Sequence, residues 1–219
     1  MKFDMEPDIA LWEQGQAARQ AQLRPVLMLA VSREGEEQMW LDAVRTMQSG
    51  AAPARPVQWL IVPRHPQRFD AVAALLEAAG LSVARRTVDG SQFSDADVWL
   101  GDTLGEMAFY YGLADVALLG GSFAPLGGQN LIEAAACRCP VVMGPHTFNF
   151  EQAAFMAQEA GAALERPNMA SALQTALQWL DDPLALEAAS SAAWAFAQTH
   201  RGAALRLSKA LDTLWQGRE

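Results

Sequence analysis

The residues best suited to chemistry lie in one stretch, LLGGSFAPLGGQNLIEAAACRCPVVMGPHTFNF, residues 118–150. Two glycine pairs, Gly120 with Gly121 and Gly127 with Gly128, lead into Asn130 and, three residues on, Glu133. Glycine lets a backbone approach a ligand closely and take positive φ. A helix beginning near Asn130 would direct its first free N–H groups at an anion such as a phosphate. Asn130 can cap that helix or offer its amide to a ligand. The Glu133 carboxylate can accept protons from two ribose hydroxyls, as acids do in dinucleotide-binding folds. The same N-x-x-E spacing also reads as a variant capping box, so ligand and cap both stand as readings. His146, in the next turn, either reaches substrate or is satisfied within a proline turn, and it is assigned no role.

Three further segments carry groups of interest. In PRHPQR, residues 63–68, Arg64 follows directly on an apolar run. There a guanidinium can present planar donors to an anion or to carbonyl oxygens. The alternative is a surface arginine at a turn fixed by Pro63 and Pro66. In GDTLGEM, residues 101–107, a helix starting near Gly105 would leave N–H groups free for an anion, unless Asp102 or Thr103 caps it. In SREGEE, residues 32–37, Ser32 reads as an N-cap, with acids in the first helical turn offsetting the positive dipole end. Capping is a sufficient reading of that motif.

The elements that must position these residues alternate regularly. Short apolar runs at 24–32, 56–63, 81–87, 97–102, 115–121, 140–144 and 162–165 read as strands. Helical patterns at 34–47, 66–80, 105–114, 129–137 and 150–161 separate them, and three alanine-rich helical segments follow, at 169–180, 183–199 and 203–215. Strands and helices in this alternation predict a parallel sheet covered on both faces. The expected fold is a Rossmann-like, doubly wound α/β domain over residues 1–219 with a helical C-terminal tail. In such sheets ligands bind beyond the carboxyl ends of the strands, near a switch in strand order. The loops after Ser32, Pro63, Gly101, Gly120 and Gly144 are therefore the ones that matter.

Composition narrows the partners. The 219 residues include 25 acidic and 16 basic side chains, a formal net charge of −9, with 51% hydrophobic residues. A substantial core can form, and a nucleic-acid partner is argued against, because phosphate-backbone binding needs a concentrated basic face. The clearest local positive cluster is Arg64, His65 and Arg68. Cys137 and Cys139 are too close for an ordinary zinc pair and have no second pair to complete a site, so buried or helix-end thiols in a reducing compartment are expected. No apolar run approaches the about 20 residues of a membrane span. The opening MKFDMEPDIALWEQ lacks a basic-then-apolar signal pattern, which predicts a cytosolic chain or one facing the cytosol.

Taken in order, KFD, SREGEE, LIVPRHPQRF, GDTLGEMAFYYGLADVALLGGSF, GGQNLIEAAA and PVVMGPHTFNF resemble the C-terminal half of 3-deoxy-D-manno-octulosonic acid (Kdo) transferases. The resemblance runs over residues 2–160 in motif order, and MKFD stands where the second half of such an enzyme would start. It implies one half of a two-domain GT-B fold, with the acceptor site, the membrane-anchoring segment and the general-base glutamate in an N-terminal half absent from this chain. Such enzymes transfer Kdo from CMP-Kdo to the lipid A precursor at the cytoplasmic face of the inner membrane, and need no metal or other cofactor. The fragment alone is then expected to be soluble, to bind the donor, and to turn nothing over. Carried over by motif, Pro63 and Arg64, then Leu104, Gly105 and Glu106, then Asn130, Leu131, Ile132 and Glu133 would contact CMP. Where the family usually has histidine, this chain has Gln129, which hydrogen-bonds but carries no proton. Leu131 and Ala134 stand where the family often has prolines, and so add backbone N–H groups. Two readings compete with this one: the donor half of another GT-B glycosyltransferase or an epimerase using a UDP-sugar, and a non-catalytic nucleotide-binding module.

Overall fold

The computed structural model describes residues 6–48, 56–90 and 95–200. The expected KFD start and the helix at 203–215 lie outside them. Among the described residues seven parallel strands form one sheet: β1 (Val26–Ser32), β2 (Gln58–Pro63), β3 (Val83–Arg85), β4 (Val98–Leu100), β5 (Val116–Leu119), β6 (Val141–Met143) and β7 (Ala163–Glu165). Their spatial order is β3-β4-β2-β1-β5-β6-β7, so the order reverses between β1 and β5. The helices are α1 (Ile9–Gln20), α2 (Glu36–Gln48), α3 (Phe69–Ala78), α4 (Arg86–Asp89), α5 (Met107–Leu113), α6 (Leu131–Ala136), α7 (Glu151–Glu159), α8 (Met169–Asp181) and α9 (Pro183–His200), with a 3-10 turn at Pro66–Arg68 before α3. This is the doubly wound sheet expected from the alternation.

Period-two alternation in the central strands feeds two separate cores. Val26, Met28 and Ala30 of β1 face one side, packing with α5, α6, α7 and α9, while Leu27 and Leu29 face the other with α2, α3 and α8. Both faces being buried explains why these strands read as continuous apolar runs.

Two helices go beyond the sequence reading. The short α4 occupies the end of what reads as the third strand. The longer α1 has no counterpart in that reading; its inward face mixes Leu11, Trp12 and Ala18 with Gly15 and Gln16, so no continuous apolar stripe marks it. Asp8 caps it by accepting the Leu11 N–H at 3.1 Å. It crosses α5 at two glycines: a Cβ on Gly15 would meet the Phe109 carbonyl, and one on Gly112 would lie 2.6 Å from the Trp12 carbonyl. Backbones that close let side chains bridge them, and Gln16 Nε2 donates to the Gly112 carbonyl at 2.7 Å while Trp12 Nε1 donates to the Cys137 carbonyl at 3.1 Å.

At the switch point β1 is irregular. Its register against β2 shifts between Ala30 and Ser32, and Val31 between them has φ 54°. A β-branched residue in that region is strained by about 1–3 kcal/mol. Gly120, at the end of β5, fits against this bulge because a Cβ there would press on the Val31 and Ala30 carbonyls.

Candidate functional site

At the end of β2, Pro63 pairs with Ser32 across the sheet, and the Arg64 N–H donates to the Ser32 carbonyl at 3.0 Å. The main chain of Arg64 is thereby fixed, while its side chain is exposed and makes no hydrogen bond or ion pair among the described residues. Arg68, four residues on, is the opposite case. Its guanidinium grips both oxygens of Glu37 at 3.0 and 2.7 Å and also donates to the Ser32 carbonyl. Of the basic cluster, Arg68 is scaffolding and Arg64 is available.

The SREGEE turn goes beyond a cap. Glu36 and Glu37 are 0% and 1% exposed. Glu36 returns to the Arg33 N–H at 2.8 Å, the reciprocal arm of a capping box. It also accepts the N–H groups of Gly121, Phe123 and Ala124 from the loop after β5. Burial pushes the Glu36 carboxyl above the ordinary range, against the downward pull of those donors. The Ser32 hydroxyl donates to Glu37 and does not cap the helix as the sequence suggests.

In the β5–α6 loop the room left by the glycines is taken up mainly by the protein itself. A Cβ on Gly127 would collide with Asn149 and Phe148, and one on Gly128 would meet His146 and Thr147, all from the loop after β6. Asn149 N–H donates to the Gly127 carbonyl and His146 N–H to the Ser122 carbonyl, stitching the two loops together. The expectation that these glycines make space for a ligand is corrected accordingly: their positive φ and small size let two loops interlock. Asn130 is the N-cap of α6, its side chain accepting the Ile132 N–H at 3.1 Å. Leu131 and Ile132 are buried in the core, so only their main chain can face a ligand. Glu133 is half-buried and makes no hydrogen bond among the described residues. Burial raises its carboxyl above the usual range, and the Arg64 charge, near enough to act on it, pulls the other way. Arg64 and Glu133, 69 residues apart in the chain, thus lie within electrostatic reach of each other beside the switch point.

The β4–α5 loop is open. Leu104 is 69% exposed, and Gly105, with φ 79°, has free space where a side chain would point. Glu106 is tied down: Arg86 donates to both its oxygens at 3.0 and 2.9 Å, and the Thr103 hydroxyl at 2.6 Å. That neighbourhood holds its carboxyl below the usual range against the opposing effect of burial. Arg86 also lies over the Phe109 ring, 4.2 Å from its centroid. Neither suggested cap holds here, because Glu106 is the N-cap of α5 without a side-chain bond. Asp102 instead accepts from Arg85 and from the N–H and hydroxyl of Thr87.

Sequence reasoning missed the roles of Glu36, Glu37 and Arg86. An acid pair in a first helical turn reads as capping, and nothing local distinguishes a carboxylate that reaches a loop 85 residues away. Both cysteines are buried, free thiols, and burial pushes that of Cys137 up to about 12. No cluster able to hold a metal ion occurs among the described residues, and no helix among them is long and apolar enough to cross a membrane.

The parallel sheet and its flanking helices define a Rossmann-like domain of the GT-B glycosyltransferase type. The UDP- and glucose-bound Alr3699/HepE of Anabaena shares the fold alone, with a TM-score of 0.62 and 16% identity over 95% of this chain and 55% of that one. The crystal structure of the C-terminal CMP-Kdo binding domain of WaaA from Acinetobacter baumannii superposes with a TM-score of 0.77 and 30% identity, covering 87% of this chain and 99% of that one. The 3-deoxy-D-manno-octulosonic acid transferase of Bordetella pertussis is 52% identical over 219 residues, 99% of this chain and 51% of the relative. No protein-family model matches. The chain belongs to the 3-deoxy-D-manno-octulosonic acid transferase family. It spans about half the length of the curated relatives it matches.

Proposed function

We propose that this chain is the donor-binding, C-terminal half of a two-domain transferase that moves Kdo from CMP-Kdo to a lipid A precursor at the cytoplasmic face of the inner membrane. The observation that carries this is the nearness of the exposed Arg64 to the half-buried Glu133, neither with a hydrogen bond or ion pair among the described residues, beside the point where strand order reverses. Crevices at such points bind ligands in open parallel sheets, and groups left unpartnered there are available to one.

The cytidine lies nearer Arg64 and the Leu104–Gly105 loop, Glu133 accepts the ribose hydroxyl protons, and the phosphate sits near Asn130. Pro63, Leu131 and Ile132 contribute main chain and shape, since their side chains belong to the core. Glu106 likewise contributes its backbone, its carboxylate being held by Arg86. Within transfer, this half orients the donor and stabilises the departing phosphate through N–H groups and Arg64. The proton abstraction from the acceptor hydroxyl belongs to the other half, so this chain alone gives no turnover. The reading requires no metal.

Calorimetric titration with CMP, with UDP as control and Glu133→Ala beside the parent, tests it. CMP binding that weakens in the variant supports the reading; a clear preference for UDP overturns the donor assignment.

A further inference from the structure

We infer that Glu36 and Glu37 are positioning residues that set the two sides of the nucleotide crevice independently, Glu36 through the β5–α6 loop and Glu37 through the turn after β2. This rests on the crevice being the nucleotide site proposed above. A capping acid needs a single N–H partner. Glu36 takes four, at 2.7, 2.8, 3.0 and 3.3 Å, and three of them come from the loop after β5. From there the connection continues by main chain alone: the Gly121 carbonyl accepts the Gly128 N–H at 2.7 Å, immediately before the segment that carries Asn130 and Glu133.

The adjacent carboxylate points to the opposite flank. Glu37 holds Arg68 in a two-bond grip and takes the Ser32 hydroxyl at 2.5 Å. Arg68 and the Arg64 N–H share one acceptor, the Ser32 carbonyl, at 3.2 and 3.0 Å. The exposed guanidinium of Arg64 thus extends from a main chain whose carbonyl partner is also clamped by the Glu37–Arg68 pair. Two consecutive residues of one helical turn therefore diverge to β5 on one side of β1 and to β2 on the other. Neither carboxylate reaches the crevice, so each acts through the residues it holds.

The test is a pair of double-mutant cycles read by CMP affinity on the whole chain, well below the unfolding temperature. Glu36→Gln replaces one acceptor oxygen with an amide that confronts N–H donors, and Glu37→Gln breaks the grip on Arg68. Each is expected to weaken CMP binding about five- to twentyfold, with the loss shared with one side only. The Glu36→Gln loss shrinks in a Glu133→Ala background and persists in Arg64→Ala; the Glu37→Gln loss does the reverse. A merely structural role gives equal losses in every background, and that result overturns the inference.

Amide hydrogen exchange provides the second readout and does not depend on a ligand. Glu36→Gln is expected to speed exchange at Gly121 and Phe123, and Glu37→Gln at Arg64, while the amides of β5 and β6 stay protected. Exchange that rises evenly across the sheet overturns the inference. If the parent chain binds no CMP, the nucleotide reading fails, and exchange alone decides whether the two carboxylates set the loops separately. Should Glu36→Gln fail to fold, Glu36→Asp, one methylene short, is expected to give the same pattern in weaker form.

Discussion

Glu36 and Glu133 each stand in the first turn of a helix that follows a strand of the same sheet, and burial raises both carboxyls above the ordinary range. Their partners separate them. Glu36 is wholly enclosed and saturated with backbone donors, whereas Glu133 is half-buried and, among the described residues, has only the distant pull of Arg64. The contrast teaches how to tell scaffold from site among buried acids: position and desolvation are shared, and internal satisfaction is what differs. A protein that leaves a desolvated carboxylate without donors keeps a destabilising charge, and a ligand with hydroxyls to offer removes that deficit.

The largest effect that would sharpen this contrast is on binding. Glu133→Ala should weaken CMP binding about a hundredfold, the loss of two hydrogen bonds to a charged group, measured by calorimetry. An unchanged affinity would break the comparison by making Glu133 as structural as Glu36. Next comes stability. Glu36→Gln should lower it by about 2–4 kcal/mol in denaturant unfolding, because buried N–H groups lose their acceptor. Glu133→Gln should leave stability at neutral pH unchanged or slightly higher. The sign follows from linkage: a carboxyl whose folded pKa is raised favours the fold below its unfolded pKa, and that contribution is lost as pH rises through the folded value. Removing the charge at neutral pH therefore removes a penalty.

The pH dependence of binding carries the opposite sign. The ionised Glu133 accepts hydrogen bonds from both ribose hydroxyls better than the protonated carboxyl does, so CMP affinity should rise with pH and fall as pH drops through its raised value, above the usual carboxylate midpoint. In Glu133→Gln that step should vanish from the affinity–pH profile. The smallest effect is expected at the far end of α6. Arg138 has φ 60° and, among the described residues, only an exposed pairing with Glu187 at 3.3 Å. Arg138→Gly should stabilise the chain by about 0.5–1 kcal/mol while leaving CMP affinity unchanged. A change in affinity would show that the whole helix, and not its first turn, sets the site.

Much of the fold was legible because its central strands are buried on both faces, so runs such as VALL and PVVM stand out without alternation. Asn130 as a helix cap was legible too, since capping is local chemistry. What could not be read is whatever depends on a distant partner. Arg64 and Arg68 share one turn and one residue type, yet only tertiary contact with Glu37 separates the free one from the bound one. Glu106 looks as available as Glu133 until Arg86 is found against it. The glycine pairs showed that something comes close to the backbone; that the visitor is mostly another loop of the same chain lies outside any local pattern. Helix α1 escaped notice because Gly15 and Gln16 interrupt the apolar face that Leu11, Trp12 and Ala18 present to the core.

That helix crossing has a practical meaning for where this unit can be cut. The sheet begins at Val26, and a chain trimmed to that point would keep all seven strands. It would also strip the cover from the Phe109 and Gly112 face of α5, the helix whose first residues follow the Leu104–Gly105 loop. The workable boundary for expression, domain exchange or fusion therefore falls no later than the Asp8 cap, ahead of the first strand by a full helix.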